Sequence, residues 1–473
     1  MSNTIVRLES VTIENFKNVS YGKLDLIGKK KLYKSNVLGL YGQNGSGKTA
    51  LIDALNLLKH AICGMPISYR FADYINVNCE YATLSFQFLI TVPNSVEEIH
   101  ATYSLSLKKV FDDTLFPSVD NGKSNAPKYK AVIFNERLAY SVYVDNKSVI
   151  PLKPLIDTSS SELAFEPKTK YDILVGKDKE LEIDLIVEKK LVSAMSKSFV
   201  FSPKLLQAIK ANCKDERHLF VLGSLLEYAH RCLFVFDTTS NAIISFNALP
   251  LAFSIQNNNQ GTAGNIVIPM DGNGLIPESA FEIVNNVVDN MNIVLNQLVP
   301  GLTISVKKLG TELLPDSSNG LRIQMLSLKN GKEIPLCYES EGIKKIVSIL
   351  QLLIVVYNRE SITVAIDELD AGVFEYLLGE LLRIISEKGK GQLIFTSHNL
   401  RPLETLDKSF IAFTTTNPNN RYIRLSNVKT TNNLRDFYYR DITLGEQSEE
   451  VYESTNNHEI ALAFKEAGDF CGS

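Results

Sequence analysis

Apolar positions along the chain fall into short continuous runs and longer helical stripes. Val37, Leu38, Leu40 and Tyr41 form an unbroken run, the pattern of a strand buried on both faces, and Leu51, Leu55 and Leu58 then recur at helical spacing. Ile362, Val364, Ala365 and Ile366 make a second buried run, and Gln392 to Thr396 a third. Ahead of the second run, Ile343, Ile346, Val347, Leu350, Leu353 and Ile354 share one face of a helix. Tyr81 to Ile90 and His100 to Leu107 alternate with period two, which predicts antiparallel strands. After Glu188 the pattern turns helical, at Arg217 to Arg231 and at Glu278 to Leu298, but neither helix sustains the heptads of a long coiled coil. Phe116 to Lys128 reads as an exposed connection and Gln256 to Gly264 as an aperiodic surface loop. A strand-like run at Phe410 to Thr414 and a helix at Glu459 to Ala467 complete the reading.

Between the first run and its helix lies Gly42-Gln43-Asn44-Gly45-Ser46-Gly47-Lys48-Thr49, followed by Ala50. This is the G-x-x-x-x-G-K-[ST] pattern, in the strand-loop-helix setting its chemistry requires. The glycines let successive N–H groups turn toward a phosphate, and the positive end of the helix dipole adds to them. Lys48 is expected to reach the β- and γ-phosphates and Thr49 to ligate Mg²⁺. The second run ends in Asp367 and Glu368, a Walker B arrangement: the aspartate supports the metal and the glutamate polarises the attacking water. Ser340 stands as N-cap of the helical stripe, with Gly342 in its first turn, making a second phosphate-binding surface. The third run delivers Ser397 and His398, the histidine placed to contact a γ-phosphate.

In this order and spacing, the chain resembles the ABC-type ATPase head of the SMC/Rad50-like branch. The opening Asn15-Phe16-Lys17-Asn18 is similar to the end of the first strand in those proteins. The resemblance implies that Lys17 and Asn18 lie near the nucleotide, that Asp370 belongs to a D-loop, and that Ser340 and Gly342 complete the site of a second subunit across an ATP sandwich. Lys48, Glu368 and His398 are then the catalytic residues, Thr49 and Asp367 the metal ligands, and ATP and Mg²⁺ the cofactors. The signature lacks the double glycine of transporters, Leu369 stands where many relatives carry proline, and Gln87 and Gln207 are the candidates for a Q-loop. The implied fold is α/β: a P-loop NTPase head with a mixed, mostly parallel sheet assembled from both chain ends, an antiparallel β subdomain and a compact helical insertion. The expected division is 1–80 for the first lobe, 81–190 for the β subdomain, 191–310 for the helical insertion and 311–473 for the second lobe.

Composition narrows the partners. A formal charge of −4 and a pI near 6.0 exclude a global basic field. Any DNA contact needs a local patch, and Lys29, Lys30, Lys31 and Lys34 form the densest basic run. The cysteines show no C-x-x-C and no histidine at metal-ligand spacing, and no apolar segment is long enough to span a bilayer, so a cytoplasmic protein without membrane contact is expected. Residues 399–473 offer too little for the TOPRIM nuclease fused to heads of the overcoming-lysogenization-defect family. The chain looks like the stand-alone ATPase subunits of anti-phage systems of abortive-infection, Septu-like and PARIS-like types, an impression shared by Asn433-Leu434-Arg435-Asp436 and Gly445-Glu446-Gln447. That likeness implies a homodimer or higher homo-oligomer controlling a separately encoded nuclease or toxin. The alternatives are a DNA-repair or chromosome-associated ATPase, and a transporter nucleotide-binding domain, which the long insertion argues against.

Overall fold

A computed structural model describes residues 4–26, 36–93, 95–112, 129–245, 248–257, 260–270, 274–314, 317–425, 433–444, 448–453 and 455–471. The basic run at 29–34, the connection at 116–128 and the segment 445–447 lie outside the described residues.

The sheet that carries the phosphate loop runs, in spatial order, Tyr422–Ile423, Ile411–Thr414, Asn36–Tyr41, Gln392–Thr396, Thr363–Ile366 and Leu233–Phe236. Neighbours pair parallel except at the Tyr422–Ile423 edge. Alternate side chains enter two different cores. Leu38, Leu40, Ala365 and Ile394 join the phosphate-loop helix, Lys48–Ile62, on one face. Val37, Tyr41, Val364, Ile366, Leu393 and Phe395 join the helices Glu341–Asn358 and Glu375–Lys388 on the other. A strand covered on both faces has no polar side to show, which is why these runs are continuous in the sequence.

The second large sheet is antiparallel, in the order Val19–Asp25, Ile5–Phe16, Tyr81–Thr91, Glu97–Phe111, Tyr129–Val144 and Lys147–Asp157. Its inner face packs into the same core as the phosphate-loop helix. Ile5–Phe16 pairs with Tyr81–Thr91, Val6 opposite Ile90 and Ile13 opposite Leu84, so this sheet runs across the expected boundary at residue 80.

Two expectations need correction. The 191–310 stretch is not purely helical: Leu233–Phe236 is an edge strand of the central sheet, parallel to Thr363–Ile366, so that sheet draws on the middle of the chain as well as its ends. Four apolar residues directly after a helix carry too little periodicity to announce a strand. Of the expected loop at Gln256 to Gly264, residues 258–259 lie outside the described residues and the rest are strand, in the antiparallel pair Ala248–Asn257 and Gln260–Pro269, with Asn257 opposite Gln260. There the backbone ladder sets the structure, and the side-chain pattern gave no sign of it. The longest helix among the described residues, Glu278–Leu298, packs beside a smaller antiparallel sheet of Gly274–Pro277, Asn319–Lys329 and Leu302–Leu313, with Lys332–Pro335 also on Asn319–Lys329. No helix among the described residues is long and apolar enough to cross a membrane.

Glu136 locks the antiparallel sheet to the segment that follows its covering helices. The carboxylate is 2% exposed and accepts from Tyr103 Oη at 2.6 Å, from Phe199 N at 2.7 Å and from Ser198 Oγ. Burial raises its pKa, against the pull of those donors. Glu136→Ala strands three buried donors, and thermal or urea unfolding should show a loss of about 3 kcal/mol. Because the folded pKa lies above the unfolded one, this carboxyl binds more protons in the native state. Its contribution is therefore full below the ordinary carboxylate range and declines as pH rises through the folded value. Glu136→Gln should remove that component from the pH profile of unfolding.

Candidate functional site

The parallel strands all point their C-terminal ends at one edge, the place where open α/β sheets bind ligands. Asn36–Tyr41 delivers the phosphate loop there, Thr363–Ile366 delivers Asp367, Gln392–Thr396 delivers Ser397, and Leu233–Phe236 delivers Asp237.

The loop is built around backbone, and side chains from distant segments brace it. Gly42 takes φ 151°, and a Cβ there would sit 1.8 Å from Thr414 Oγ1, so no larger residue fits. Ser46 Oγ bonds Gln43 O at 2.6 Å and also meets Thr414 Oγ1. Lys48 Nζ donates to Gly42 O at 2.8 Å and Gln43 O at 2.9 Å, folding its ammonium over the loop's mouth. Burial lowers the Lys48 pKa, while Asp367, Asp370 and Glu368 draw it back up. Tyr422 Oη donates to Gly47 O at 3.0 Å, Arg421 Nη2 donates to Asn18 O at 2.6 Å, and Glu453 N donates to Gln43 Oε1 at 2.9 Å. Asn18 Oδ1 lies 3.3 Å from the Cβ position of Gly47, beside the loop. Lys17 is committed one helical turn further on: its ammonium pairs with Asp53 and lies 4.0 Å over the Tyr74 ring.

At the acidic strand end, one hydroxyl organises two residues. Thr396 Oγ1 donates to Asp367 Oδ1 at 2.5 Å and accepts from Glu368 N at 2.8 Å. Glu368 sits in the left-handed region, φ 49°, a cost for a non-glycine residue that the Thr396 hydroxyl helps to hold. Asp367 is fully buried, and its Oδ2 has no hydrogen-bond partner among the described residues, whereas Glu368 and His398 are exposed. Asp370 Oδ2 accepts from His398 N at 3.1 Å and Asn399 N at 2.9 Å, tying the turn after the acids to the histidine loop.

Ser340 caps the helix Glu341–Asn358, accepting from Ile343 N at 3.3 Å, and its side chain faces solvent. The first turn of this helix meets Asp370-Ala371-Gly372 backbone to backbone: a Cβ on Gly342 would fall 2.2 Å from Gly372 O. Gly342→Ala must therefore push the two apart. Steady-state phosphate release should fall at least about tenfold, while nucleotide affinity, read by calorimetry, stays within about twofold because the phosphate loop is untouched.

The buried unpartnered Oδ2 of Asp367, close enough to Lys48 to act on its charge, fits a hard cation held by oxygen. Among the described residues no group of three or more His, Cys, Asp or Glu side chains could hold a metal alone. Mg²⁺ takes one or two protein oxygens and leaves its other positions to phosphate and water. Thr49 and Asp367 would hold it, and the ion would neutralise charge on the β- and γ-phosphates.

Several members of the site were missed from sequence. Thr414, Arg421 and Tyr422 reach it through long-range pairing, which leaves no local pattern, and Thr396, the recognisable end of its strand, carries no sequence sign of its role as a clamp. Asp237 ends the unrecognised edge strand, accepts from Arg70 Nη2 at 2.7 Å and from Asn56 Nδ2 at 3.1 Å, and stands beside Asp367, whose N–H donates to Phe236 O at 2.8 Å. The two Q-loop candidates lie elsewhere: Gln87 is on the antiparallel sheet, accepting from Ser10 Oγ at 2.8 Å, and Gln207 is exposed on the helix Pro203–Asn212.

A phosphate loop and an acidic strand end on adjacent parts of a mostly parallel sheet define a P-loop nucleotide-binding head. The chain belongs to the AAA ATPase domain family, whose model matches residues 7–401. Among curated proteins, none is similar enough in sequence to match. Similar solved structures include the Smc head domain with an extended coiled coil bound to the C-terminal domain of ScpA, derived from Pyrococcus furiosus, at 13% identity and TM-score 0.37, covering 89% of this chain and 97% of that one. The SMC head domain from Thermotoga maritima matches at 13% identity and TM-score 0.34, covering 89% and 99%. The recombination mediator RecF matches at 14% identity and TM-score 0.35, covering 89% and 98%.

Proposed function

We propose that this protein is a Mg²⁺-dependent ATPase of the SMC/Rad50-like type that works as a nucleotide-driven switch. Two copies close on two ATP molecules, and the closed dimer controls a separately encoded effector in anti-phage defence. The observation that carries the dimer is an asymmetry of burial. Lys48 and Asp367, which would hold the phosphates and metal, are buried, whereas Glu368, His398 and Ser340, which would meet the γ-phosphate, face solvent. Hydrolysis in a site this open needs a second surface to exclude water and fix geometry. A partner's capping serine supplies free N–H groups and a positive helix end for that surface.

In the closed state, the Lys48 ammonium and the loop N–H groups bind the triphosphate, and Glu368 accepts a proton from the attacking water. His398 donates to a γ-phosphate oxygen, and the trans Ser340 and Gly342 bind the same group. The test is light-scattering mass with and without Mg·ATP. A doubling of mass on ATP addition, reversed as phosphate is released, supports the switch. A monomer at all nucleotide concentrations overturns it. The same assay with duplex DNA separates the readings: turnover raised about tenfold or more by DNA would favour the DNA-acting ATPase instead.

A further inference from the structure

Lys345 is a buried lysine on the signature helix that neither phosphate binding nor water activation uses. Its side chain is 3% exposed, and its ammonium donates to Asn241 Oδ1 and lies 4.6 Å above the Phe236 ring. Asn241 Nδ2 in turn donates to Asp367 O at 3.2 Å. The neighbouring Lys344 goes elsewhere, to Glu341 at 2.6 Å in the first turn. A buried ammonium needs negative charge nearby. For Lys345 that charge is the Walker B end of its own subunit, where Glu368, Asp367 and Asp370 all favour its protonated form, although burial draws its pKa down to about 8. No carboxylate stands within ion-pair distance of it among the described residues, so the attraction acts across a short gap bridged in part by Asn241.

We infer that Lys345 is a positioning residue that ties the signature helix to the acids of its own subunit and sets how strongly they take Mg²⁺. The inference rests on the Mg·ATP reading of the site. An ammonium and a divalent cation drawn to the same carboxylates repel one another, so the lysine weakens metal binding while it holds the helix in place. The same helix carries Ser340 and Gly342 at its start and touches Gly372. A partner's nucleotide that shifts this helix also shifts the ammonium relative to Asp367 and Glu368. Occupancy of one site thereby alters metal affinity at the other.

The experiment compares wild type with Lys345→Met, Lys345→Gln and Lys345→Arg. The readout is the Mg²⁺ midpoint of the rise in unfolding temperature at saturating ADP, which does not depend on turnover. The Mg²⁺ concentration for half-maximal hydrolysis is measured alongside. Met and Gln should lower both midpoints by about tenfold, and Arg, which keeps the charge, should stay within about twofold of wild type. A residue that merely packs would lower the unfolding temperature equally at all Mg²⁺ concentrations. Midpoints within about twofold of wild type in a Met or Gln variant that still unfolds cooperatively would overturn the inference. If wild type shows no Mg²⁺-dependent rise with ADP at all, the site reading itself fails, a different result from an unmoved midpoint.

Discussion

Replacing Glu368 with Gln should lower ATP turnover by about a hundredfold to a thousandfold while leaving nucleotide affinity within a few fold of wild type. The substitution keeps the size of the side chain and removes its ability to accept a proton. The surrounding geometry does not depend on the carboxylate. The turn is held by the Thr396 hydroxyl, which accepts from Glu368 N, Asp367 rather than Glu368 would hold the metal, and the Glu368 side chain faces solvent. The closed dimer, unable to hydrolyse its ATP, should then accumulate and appear as doubled mass in the presence of Mg·ATP. Phosphate release, equilibrium binding and light scattering on one preparation check all three. Unchanged phosphate release would remove Glu368 from the mechanism.

Lys48→Ala should act one step earlier and lose both binding and dimer. The ammonium sits on the carbonyls of Gly42 and Gln43, within the field of Asp367, Asp370 and Glu368. Without it, three carboxylates face a triphosphate with one cation fewer between them. A unit charge about 5 Å away at an effective dielectric of about 20 contributes about 3 kcal/mol, a factor of roughly 200 in affinity. Calorimetric titration with Mg·ADP measures this directly. An affinity within about threefold of wild type would mean the phosphate lies elsewhere. Because Lys48 is largely buried over loop backbone, circular dichroism of the variant distinguishes lost binding from a collapsed loop.

The two variants probe parts of the site that differ in how far they can be read from sequence. Lys48 belongs to a contiguous motif whose residues act through backbone geometry, and such geometry is encoded within a few residues. Asp367 and Glu368 follow a strand recognisable by its unbroken apolar run, and Ser340 precedes a helix recognisable by its stripe. The structure places each of these where the local pattern indicated: strand, loop and helix at 36–62, the Ser340 cap, the strand Thr363–Ile366. What holds them in working geometry is a different set. Thr396 clamps the acidic turn, Thr414 and Tyr422 brace the loop from two strands more than three hundred residues away, and Lys345 links the helix Glu341–Asn358 through Asn241 to the Asp367 backbone. None of these has a local signature, since a threonine in a strand or a lysine in a helix is equally at home facing water.

The expectation of a helical 191–310 stretch failed for the same reason. Leu233–Phe236 is a strand because Thr363–Ile366 offers it a ladder, and its four residues alone carry no such instruction. By itself, then, the sequence determined the chemical inventory and the local frames that present it: a phosphate loop between strand and helix, an acid pair at a strand end, a capped helix, and the family to which they belong. Only the tertiary structure decided that a mid-chain strand closes the central sheet, that Thr396, Thr414 and Tyr422 fasten the site, and that Lys345 is buried with Asn241 between it and the Asp367 backbone. The physical reason is range. Turn geometry, capping and periodicity act over a few residues and leave their mark in the order of the chain, whereas strand pairing and buried electrostatics depend on which segments meet in space.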